Sequence, residues 1–248
     1  MNEVLGVDIG GSGIKCGLVD IRTGSLIGDV LRVKTPKDST PENVVEIIQE
    51  NCEYLNYKGN IGIGFPGVLQ GGFIRVCNNL STDWIDLNAA EFFAKHLKQE
   101  VTLLNDVDAA GIGEMYSGAG KNRKDKVVVM CIGTGLGTAM FFDGKLFPGT
   151  ELGQMFLRNK TVAEKFAANS TRKKQDLSWE EWGKRLNIFL NEFYHLIYPD
   201  LIIISGGISK KHEKYEHYLK LDCEIKFAEN KNRAGLIGAA IEASVKGL

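Results

Sequence analysis

The sequence predicts an α/β protein with two lobes, because three of its segments share one design. Each segment carries a short apolar run, typical of a buried strand, that leads directly into a glycine-rich turn. Two of the three continue into a second strand and so form a hairpin. The segments cover residues 4–20, 127–142 and 201–209. Their repetition indicates two half-sites facing one cleft, and the alternating strands and helices indicate two α/β lobes.

The first segment predicts a phosphate-binding hairpin. Glycine lets backbone N–H groups approach a polyanion because no Cβ intervenes. The turn consists of Gly10, Gly11, Ser12 and Gly13. Asp8 near the end of the first strand could hold Mg²⁺, directly or through water, and Lys15 follows the turn. Cys16 stands where a Walker loop needs Ser or Thr and where the dinucleotide fingerprint needs its last Gly. A plain hairpin that binds nothing stays the alternative.

The second and third segments extend the same prediction to the other half of the chain. In the second segment we expect phosphate to contact Gly133, Thr134, Gly135 and Gly137. In the third, a glycine pair follows the apolar residues 201–204, where a purine or an extended phosphate chain could lie against backbone. The residues at that position are Gly206, Gly207 and Ile208.

These motifs resemble those of the actin-like ATPase and sugar kinase superfamily, and within it the ROK sugar kinases. The resemblance extends nearly end to end. It covers the first phosphate motif, the sugar-site motif, the second phosphate motif and the adenosine motif, at residues 8–15, 105–110, 132–137 and 204–208. It implies the two-lobe actin-like ATPase (ribonuclease H-like) fold with the active site in the interlobe cleft. The N-terminal lobe would comprise residues 1–104 and a C-terminal helix, 234–248, and the second lobe residues 105–233.

Within the family, residues 10–15, 150–153 and 177–182 are most similar to the polyphosphate glucokinase branch. Most ROK kinases carry a Cys/His zinc knot, which that branch lacks. The five cysteines here lie far apart with no Cys-x-Cys or Cys-x-x-Cys pair, so we expect no zinc. Trp179 and Trp182 begin a run of aromatic and aliphatic residues at helical spacing, which predicts that both belong to the core.

Phosphoryl transfer to a sugar needs a carboxylate that accepts the hydroxyl proton, groups that fix the sugar, and positive charge around the moving phosphate. The resemblance assigns the base to Asp106 and a hydroxyl-binding role to Asn105, both just past the apolar residues 101–104. An alternative is that the pair only caps the helix that follows. Asp108 could also supply the cap while Asp106 does the chemistry.

The resemblance assigns four further residues to the sugar site: Gly67, Asn79, Glu151 and Gln154. Gly67 ends the turn that would lie beneath the sugar, although an ordinary Pro-Gly turn explains the sequence equally well. Gln154 stands where the family has His. Its amide can donate to and accept from a hydroxyl but cannot be charged. The resemblance implies glucose or a similar hexose as the acceptor, and Gln154 leaves another hexose or an amino sugar open.

The composition argues against nucleic acid and membrane partners. The 30 Lys and Arg residues balance 31 Asp and Glu residues, so no global positive field is expected. The first residues lack the basic and apolar regions of a signal peptide, and no apolar stretch approaches the roughly 18 residues of a membrane span. Scattered cysteines fit a reducing compartment. We expect a cytoplasmic protein and, by the habit of the family, a homodimer.

The resemblance implies that the phosphoryl donor is polyphosphate, ATP or both, together with Mg²⁺. Polyphosphate needs a cationic track and ATP an adenine slot, and basic runs occur at residues 121–126, 172–174 and 210–211. The similarity to the polyphosphate glucokinase branch favours polyphosphate, with the 6-hydroxyl of glucose as acceptor. The alternatives are a strictly ATP-dependent ROK kinase for another sugar and a catalytically silent sugar-binding protein. Against the latter, ROK repressors carry a helix-turn-helix ahead of the fold, whereas here the first hairpin begins within ten residues of Met1.

Overall fold

The structure, a computed structural model, describes residues 2–246, which form two compact units. The first unit extends to Ser117 and resumes at Arg233, and the second unit is Gly118–Asn232. The strands are β1 (Glu3–Gly10), β2 (Gly13–Asp20), β3 (Ser25–Val33), β4 (Ile61–Phe65), β5 (Val68–Gln70), β6 (Phe73–Val76), β7 (Val101–Asn105), β8 (Val127–Ile132), β9 (Leu136–Phe142), β10 (Lys145–Phe147), β11 (Leu201–Ser205) and β12 (Glu224–Phe227). The α-helices are α1 (Pro41–Tyr54), α2 (Ala89–Leu97), α3 (Asp106–Ser117), α4 (Ala163–Ala167), α5 (Asn169–Lys174), α6 (Trp179–Ile197) and α7 (Ala234–Lys246).

The first unit is built on a sheet with the strand order β3-β2-β1-β4-β7. Strands β1, β2 and β3 pair antiparallel, whereas β4 and β7 run parallel to β1. Strand β4 is buried at every position, as its unbroken apolar and glycine sequence predicts for a central parallel strand. Since β1, β4 and β7 are parallel, the β1–β2 turn and the segments that follow β4 and β7 emerge at one edge of this sheet.

The second unit repeats this arrangement with the order β10-β9-β8-β11-β12. Strands β8, β9 and β10 are antiparallel, and β11 and β12 run parallel to β8. The β8–β9 turn and the segment after β11 therefore emerge at one edge of this second sheet. The predicted repetition of a strand, a glycine turn and a strand is confirmed in both units.

The longer helices begin where their sequences predict. Thr40 caps α1 by accepting the backbone N–H of Asn43, and Pro41 occupies the first helical position, where its missing N–H is not needed. Ser178 and Glu181 form a capping box at the start of α6. Among the residues that the structure describes, no helix is both long enough and apolar enough to cross a membrane.

Helix α7 packs unusually close to its neighbours in the first unit. A Cβ placed on Gly62 of β4 would lie 1.8 Å from the carbonyl oxygen of Ala239 in α7. A Cβ on Gly238 of α7 would lie equally close to the carbonyl oxygen of Ala109 in α3. Only glycine permits backbones to approach to these distances. The two glycines thus hold α7 between the sheet and α3.

The observed division of the chain differs from the predicted boundary at residues 104 and 105. The residues after that point form α3, which belongs to the first unit because it packs against α7. The division instead falls after Ser117 and before Arg233. Met1, Gly247 and Leu248, which the predicted first lobe included, lie outside the described residues.

Candidate active site

The β1–β2 hairpin of the first unit has the geometry that its sequence predicts. Gly10 pairs with Gly13, which leaves Gly11 and Ser12 as a two-residue exposed turn. Asp8 and Lys15 lie opposite each other on the two strands, and Lys15 Nζ is 2.6 Å from Asp8 Oδ2. A carboxylate and an ammonium therefore lie side by side on the two strands that flank the turn, both partly exposed.

The carboxylate of Asp8 suits Mg²⁺. This ion is usually held by one or two carboxylates and by the phosphates of the substrate, not by a complete cage of side chains. No group of three or more His, Cys, Asp or Glu residues that could hold a metal occurs in residues 2–246. Helix α7 leaves room beside this carboxylate, because a Cβ on Gly235 would lie 3.4 Å from it.

Asn79, predicted for the sugar site, lies beside the hairpin turn. A Cβ on Gly11 would be 3.2 Å from the Cβ of Asn79. The loop that carries Asn79 is attached to the core by Cys77, whose buried thiol accepts backbone N–H groups of Asn79 and Leu80. Burial raises the pKa of the Cys77 thiol, and those two hydrogen bonds oppose the shift. Sequence reasoning did not identify this anchoring role of Cys77.

The side chain of Asn105 connects the ends of two strands to helix α3. Its Oδ1 accepts the backbone N–H groups of Val107 at 2.8 Å and Asp108 at 3.2 Å, and its Nδ2 donates to the carbonyl of Gly67 at 2.9 Å. Asn105 thus caps α3 and fixes the Pro66-Gly67 turn. One side-chain N–H is left for a sugar hydroxyl. Asn105 therefore caps α3, and its binding to a sugar hydroxyl stays a prediction.

Asp106 is the first residue of α3 and is half-buried. Asp108, which we considered as the cap, is instead a buried residue within α3. Gly64 lets the start of α3 approach β4, since a Cβ there would lie 3.6 Å from the Cα of Asp106. The predicted residues Gly67, Asn79 and Asp106 follow strands of the first unit, and Asn105 is the last residue of β7.

In the second unit, the turn between β8 and β9 is held from two sides. Oε2 of Glu164 in α4 accepts the backbone N–H of Leu136 at 2.9 Å. Ser170 in α5 donates its backbone N–H to the carbonyl of Gly133 at 3.2 Å and its hydroxyl to the carbonyl of Thr134 at 2.5 Å. A Cβ added to Gly133 would meet no atom within 4 Å, so its other side is open. Glu164 and Ser170 were missed because nothing in the linear sequence links them to a turn some thirty residues earlier.

The segment with Glu151 and Gln154 packs on strand β9 of the same unit. The hydroxyls of Thr138 and Thr150 lie 3.0 Å apart, and Thr150 also donates to the carbonyl of Thr138 at 2.7 Å. A Cβ on Gly153 would lie only 1.8 Å from the carbonyl of Leu136, so this position requires glycine. Glu151 and Gln154 themselves are exposed. The structure therefore brings both predicted residues close to the second glycine turn.

The glycine pair after β11 lies beside that turn, because β11 pairs with β8 up to Ser205 and Cys131. Gly206 has a φ of 82° and sits against the carbonyl of Ile132. A Cβ on Gly207 would have nothing within 4 Å. The side chain of Ile208 is buried in the core of the second unit, so only its backbone remains for a ligand.

Two basic runs lie on the same side of the second unit as the glycine turns, and one does not. Residues 121–126 precede β8, which puts them at the end of that strand opposite the turn, about 20 Å away for six residues. Arg123 in this run pairs with Asp125 and Glu224, and these hydrogen bonds lower the pKa of both carboxyls. This run therefore does not contribute to the predicted polyphosphate track. Residues 172–174 belong to α5, and residues 210–211 follow the glycine pair.

The comparisons with known proteins agree with this geometry. The model of the ROK family matches residues 4–161. A polyphosphate glucokinase of Mycobacterium tuberculosis (strain CDC 1551 / Oshkosh) is 40% identical over 237 residues, which cover 95% of this chain and 89% of that protein. The crystal structure of an inorganic polyphosphate/ATP-glucomannokinase from Arthrobacter sp. strain KM is 36% identical, with a TM-score of 0.92 over 99% of this chain and all of that one.

A more distant structure agrees in fold alone. It is a ROK family glucokinase from Streptomyces griseus in complex with glucose and AMPPNP, 21% identical, with a TM-score of 0.81 over 98% of this chain and 99% of that one.

Proposed function

The chain belongs to the ROK family, and from this premise we propose that it transfers a phosphoryl group from polyphosphate or ATP to the 6-hydroxyl of glucose. The observation that carries the proposal is the 40% identity, over 95% of the chain, to a polyphosphate glucokinase. The fold agrees, since a structure that matches over 99% of the chain, with a TM-score of 0.92, belongs to a polyphosphate/ATP-glucomannokinase.

In the proposed reaction Asp106 acts as the general base. The sugar hydroxyl oxygen attacks the terminal phosphorus of the donor, its proton passes to the Asp106 carboxylate, and the P–O bond to the rest of the donor breaks. The position of Asp106 supports this role, because it begins α3 directly after β7, at the edge of the sheet where the segments after β4 and β7 emerge. Asn105 acts as a positioning residue that holds α3 and the Gly67 turn together.

The donor phosphates would contact the two glycine turns, 10–13 and 133–137, and Lys15 would neutralise part of their charge. Mg²⁺, held by Asp8 directly or through water, would supply further positive charge around the transferred group. Asn79, Glu151 and Gln154 would bind sugar hydroxyls. Gly206, Gly207 and the backbone of Ile208 would bind adenosine or the continuing polyphosphate chain.

The neighbour from Arthrobacter supports a second acceptor, since it is a glucomannokinase. Gln154, in place of the His that the family pattern leads us to expect, is the residue of this chain that would alter the preference between hexoses. A strictly ATP-dependent kinase for another sugar is the second candidate function. The proposal also includes a cytoplasmic homodimer that binds neither nucleic acid nor membrane, which light scattering on the purified protein and its localisation in cells would test.

The experiment is a coupled assay for glucose 6-phosphate with Mg²⁺ and either polyphosphate or ATP. We expect turnover with polyphosphate and a loss of about a hundred- to ten-thousandfold in Asp106→Asn, which removes the base while keeping the shape. Asp143→Asn is the matched control. Asp143 is exposed at a hairpin turn with a φ of 53°, which Asn tolerates, so activity should not change.

Other outcomes would revise the proposal in defined ways. Turnover with ATP alone would keep the kinase and remove polyphosphate as donor. An Asp106→Asn protein that keeps full activity would exclude Asp106 as the base. Folded protein inactive with glucose and both donors would move the acceptor to another sugar, to be found by testing mannose and the amino sugars.

A further inference from the structure

Three cations of the second unit surround the ring of one tryptophan. The guanidinium carbon of Arg172 lies 4.2 Å from the centroid of the Trp179 ring, and the ammonium groups of Lys214 and Lys211 lie 5.6 Å and 6.0 Å from it. We call these four residues the Trp179 cluster. Trp179 was predicted to be a core residue, but it is only partly buried and its ring packs between the core and these charges.

Within the described part of the chain, the cations of the cluster have no acidic partners. Among the residues that the structure describes, none of Arg172, Lys211 and Lys214 forms an ion pair within 4.0 Å. Three nearby carboxylates are engaged elsewhere: Glu180 with Lys184, Glu181 with Ser178 and Glu216 with His212. Two other acids of these segments, Asp176 and Glu213, are exposed. Three more exposed cations flank the cluster: Lys173, Lys174 and Lys210.

Mutual repulsion makes such an arrangement costly without a counter-charge. Each of the three charges lies within 6.0 Å of one centroid, so no two are further apart than twice that distance. This largest possible separation between two charges is close to the Debye length of about 10 Å at 0.1 M salt. The three charges therefore act together on an approaching anion. The aromatic ring offsets part of the repulsion and keeps the cations in place. The cluster is therefore suited to a ligand with several negative charges.

The cluster also lies beside both glycine turns of this unit. Arg172 is two residues beyond Ser170, which hydrogen-bonds to the carbonyls of Gly133 and Thr134. Lys211 donates its backbone N–H to the carbonyl of Ile208, the residue that follows the glycine pair. Arg172 thus follows the segment that holds the proposed phosphate turn. The lysines of the cluster follow the glycine pair that is proposed to bind the extended donor.

We propose that the Trp179 cluster binds the part of a polyphosphate chain that extends beyond the reacting phosphates. The inference rests on the proposed function. Its consequence is that affinity for the donor rises with chain length until the chain spans the cluster. A short donor such as tripolyphosphate or ATP ends before the cluster and gains nothing from it.

The test compares Lys211→Ala/Lys214→Ala with Lys121→Ala/Lys124→Ala. Both variants remove two exposed lysines from the second unit, but the second pair precedes β8, at the end of that strand opposite the turn. We expect the cluster variant to raise KM for long polyphosphate about tenfold, as two surface charge contacts would. Its kcat, and KM for tripolyphosphate and ATP, should stay within about twofold of the wild type. The control variant should match the wild type with every donor.

Salt dependence and direct binding give independent readouts. The slope of log KM for long polyphosphate against log salt should fall by about 1.4 in the cluster variant, since each of its two lost charge contacts on a single-stranded polyanion contributes about 0.7. Calorimetry with long polyphosphate and no glucose should show the same loss of affinity. Circular dichroism would establish that both variants are folded, and Lys214→Gln alone should show a smaller effect in the same direction.

The outcomes separate this inference from the proposed function. If wild-type protein uses long polyphosphate and the cluster variant has an unchanged KM, the inference is wrong and the proposed function stands. An equal rise of KM for ATP would also overturn it, because the cluster would then act on every donor. Single-stranded RNA that competes as well as polyphosphate would make the cluster a general polyanion surface instead. A wild type that uses ATP alone would refute both the polyphosphate donor and the inference.

Discussion

The side-chain amide of Asn105 makes three structural hydrogen bonds and keeps one N–H for a further interaction. Its oxygen caps α3, and its nitrogen holds the carbonyl of Gly67. The residue therefore orients the helix on which Asp106 stands and the turn that follows β4. Any effect of Asn105 on sugar binding has to be separated from this structural role.

Asn105→Asp and Asn105→Ala test the capping role of Asn105. Aspartate still accepts the N–H groups of Val107 and Asp108, so the cap should survive, whereas alanine loses it at a cost of about 1 kcal/mol. We expect urea unfolding to show this loss for Asn105→Ala and a smaller one for Asn105→Asp. Equal stability of the alanine variant and the wild type would contradict the assignment.

Glu164 is a carboxylate beside a turn proposed to bind phosphate, where a negative charge is unfavourable unless it has another purpose. Its Oε2 accepts the N–H of Leu136. The same oxygen lies only 2.5 Å from the position that a Cβ on Gly135 would take. We infer from these contacts that it fixes the shape of the turn.

Glu164→Ala and Glu164→Gln test this positioning role. Alanine frees the turn, and a misplacement of about 1 Å can cost a hundredfold, so we expect kcat/KM for both donors to fall about ten- to a hundredfold. Glutamine keeps an acceptor oxygen and removes the charge, so kcat should stay within about threefold while KM for the donor does not rise. An alanine variant with normal kinetics would refute the role.

The sequence predicted residues whose role is local and missed those whose role depends on distant contacts. The glycines of the turns were recognisable because a missing side chain is visible in the sequence itself. Trp179 was placed in the core because its spacing to Trp182 is helical. It is the first residue of α6, however, and its ring extends past the core to α5.

At the level of elements, the close approach of α7 to its neighbours makes the first unit sensitive to a single methyl group. Gly62→Ala should destabilise it by about 1–3 kcal/mol or more, because the added carbon collides with the backbone of Ala239 and backbone cannot move aside as a side chain can. Urea unfolding followed by circular dichroism would measure this.

Gly17→Ala in β2 is the matched control for Gly62→Ala. Both glycines lie in the same sheet, but a Cβ on Gly17 meets only the ends of side chains, at 3.3 Å or more. We expect a cost below about 1 kcal/mol there. A similar cost at both positions would show that backbone contact is not the cause.

Element prediction succeeded where a turn signal and a strand signal coincided, as in β1–β2 and β8–β9. It was less successful in predicting where a segment lies in the folded protein. Residues 121–126 look like a continuation of the phosphate-binding region, but a strand has two ends, and this run precedes β8 while the turn follows it. The boundary after residue 104 failed similarly, because only the contact of α3 with α7, far apart in sequence, assigns α3 to the first unit.

Across the whole molecule, the two units share one strand order and one placement of glycine turns. The resemblance to the ROK family and its polyphosphate glucokinase branch predicted this architecture, and the comparisons confirm both. The roles of the individual site residues stay predictions.

The cysteines report on the opening of each unit, since burial raises the pKa of four of their thiols. In the first unit the pKa of Cys52 rises from an ordinary 9.0 to about 11, and that of Cys16 rises further. The thiolate is the reactive form, so a shift of two units lowers reactivity about a hundredfold at pH 8 before any steric protection is counted. We expect iodoacetamide to label Cys16 and Cys52 of native protein at least that much more slowly than in urea, as measured by peptide mass spectrometry.

The same shifts predict lower stability in alkali. Above pH 9 the thiols of the unfolded chain lose protons while the buried ones keep them, so the unfolded state binds fewer protons and the free energy of unfolding falls as pH rises. Cys52→Ala should weaken this fall between about pH 9 and 11. If iodoacetamide labelled Cys16 and Cys52 of the native protein as fast as in urea, the first unit would not protect these thiols.

The first unit consists of two chain segments, one before and one after the second unit, and this affects how the protein folds during its synthesis. During translation all residues of the second unit leave the ribosome before those of α7, which the sheet of the first unit still lacks at that point. Until then the surfaces of β1 and β4 that α7 covers are open to water and to chaperones. The order of synthesis thus favours folding of the second unit first. The first unit can complete its fold only when the apolar helix α7 packs onto its sheet.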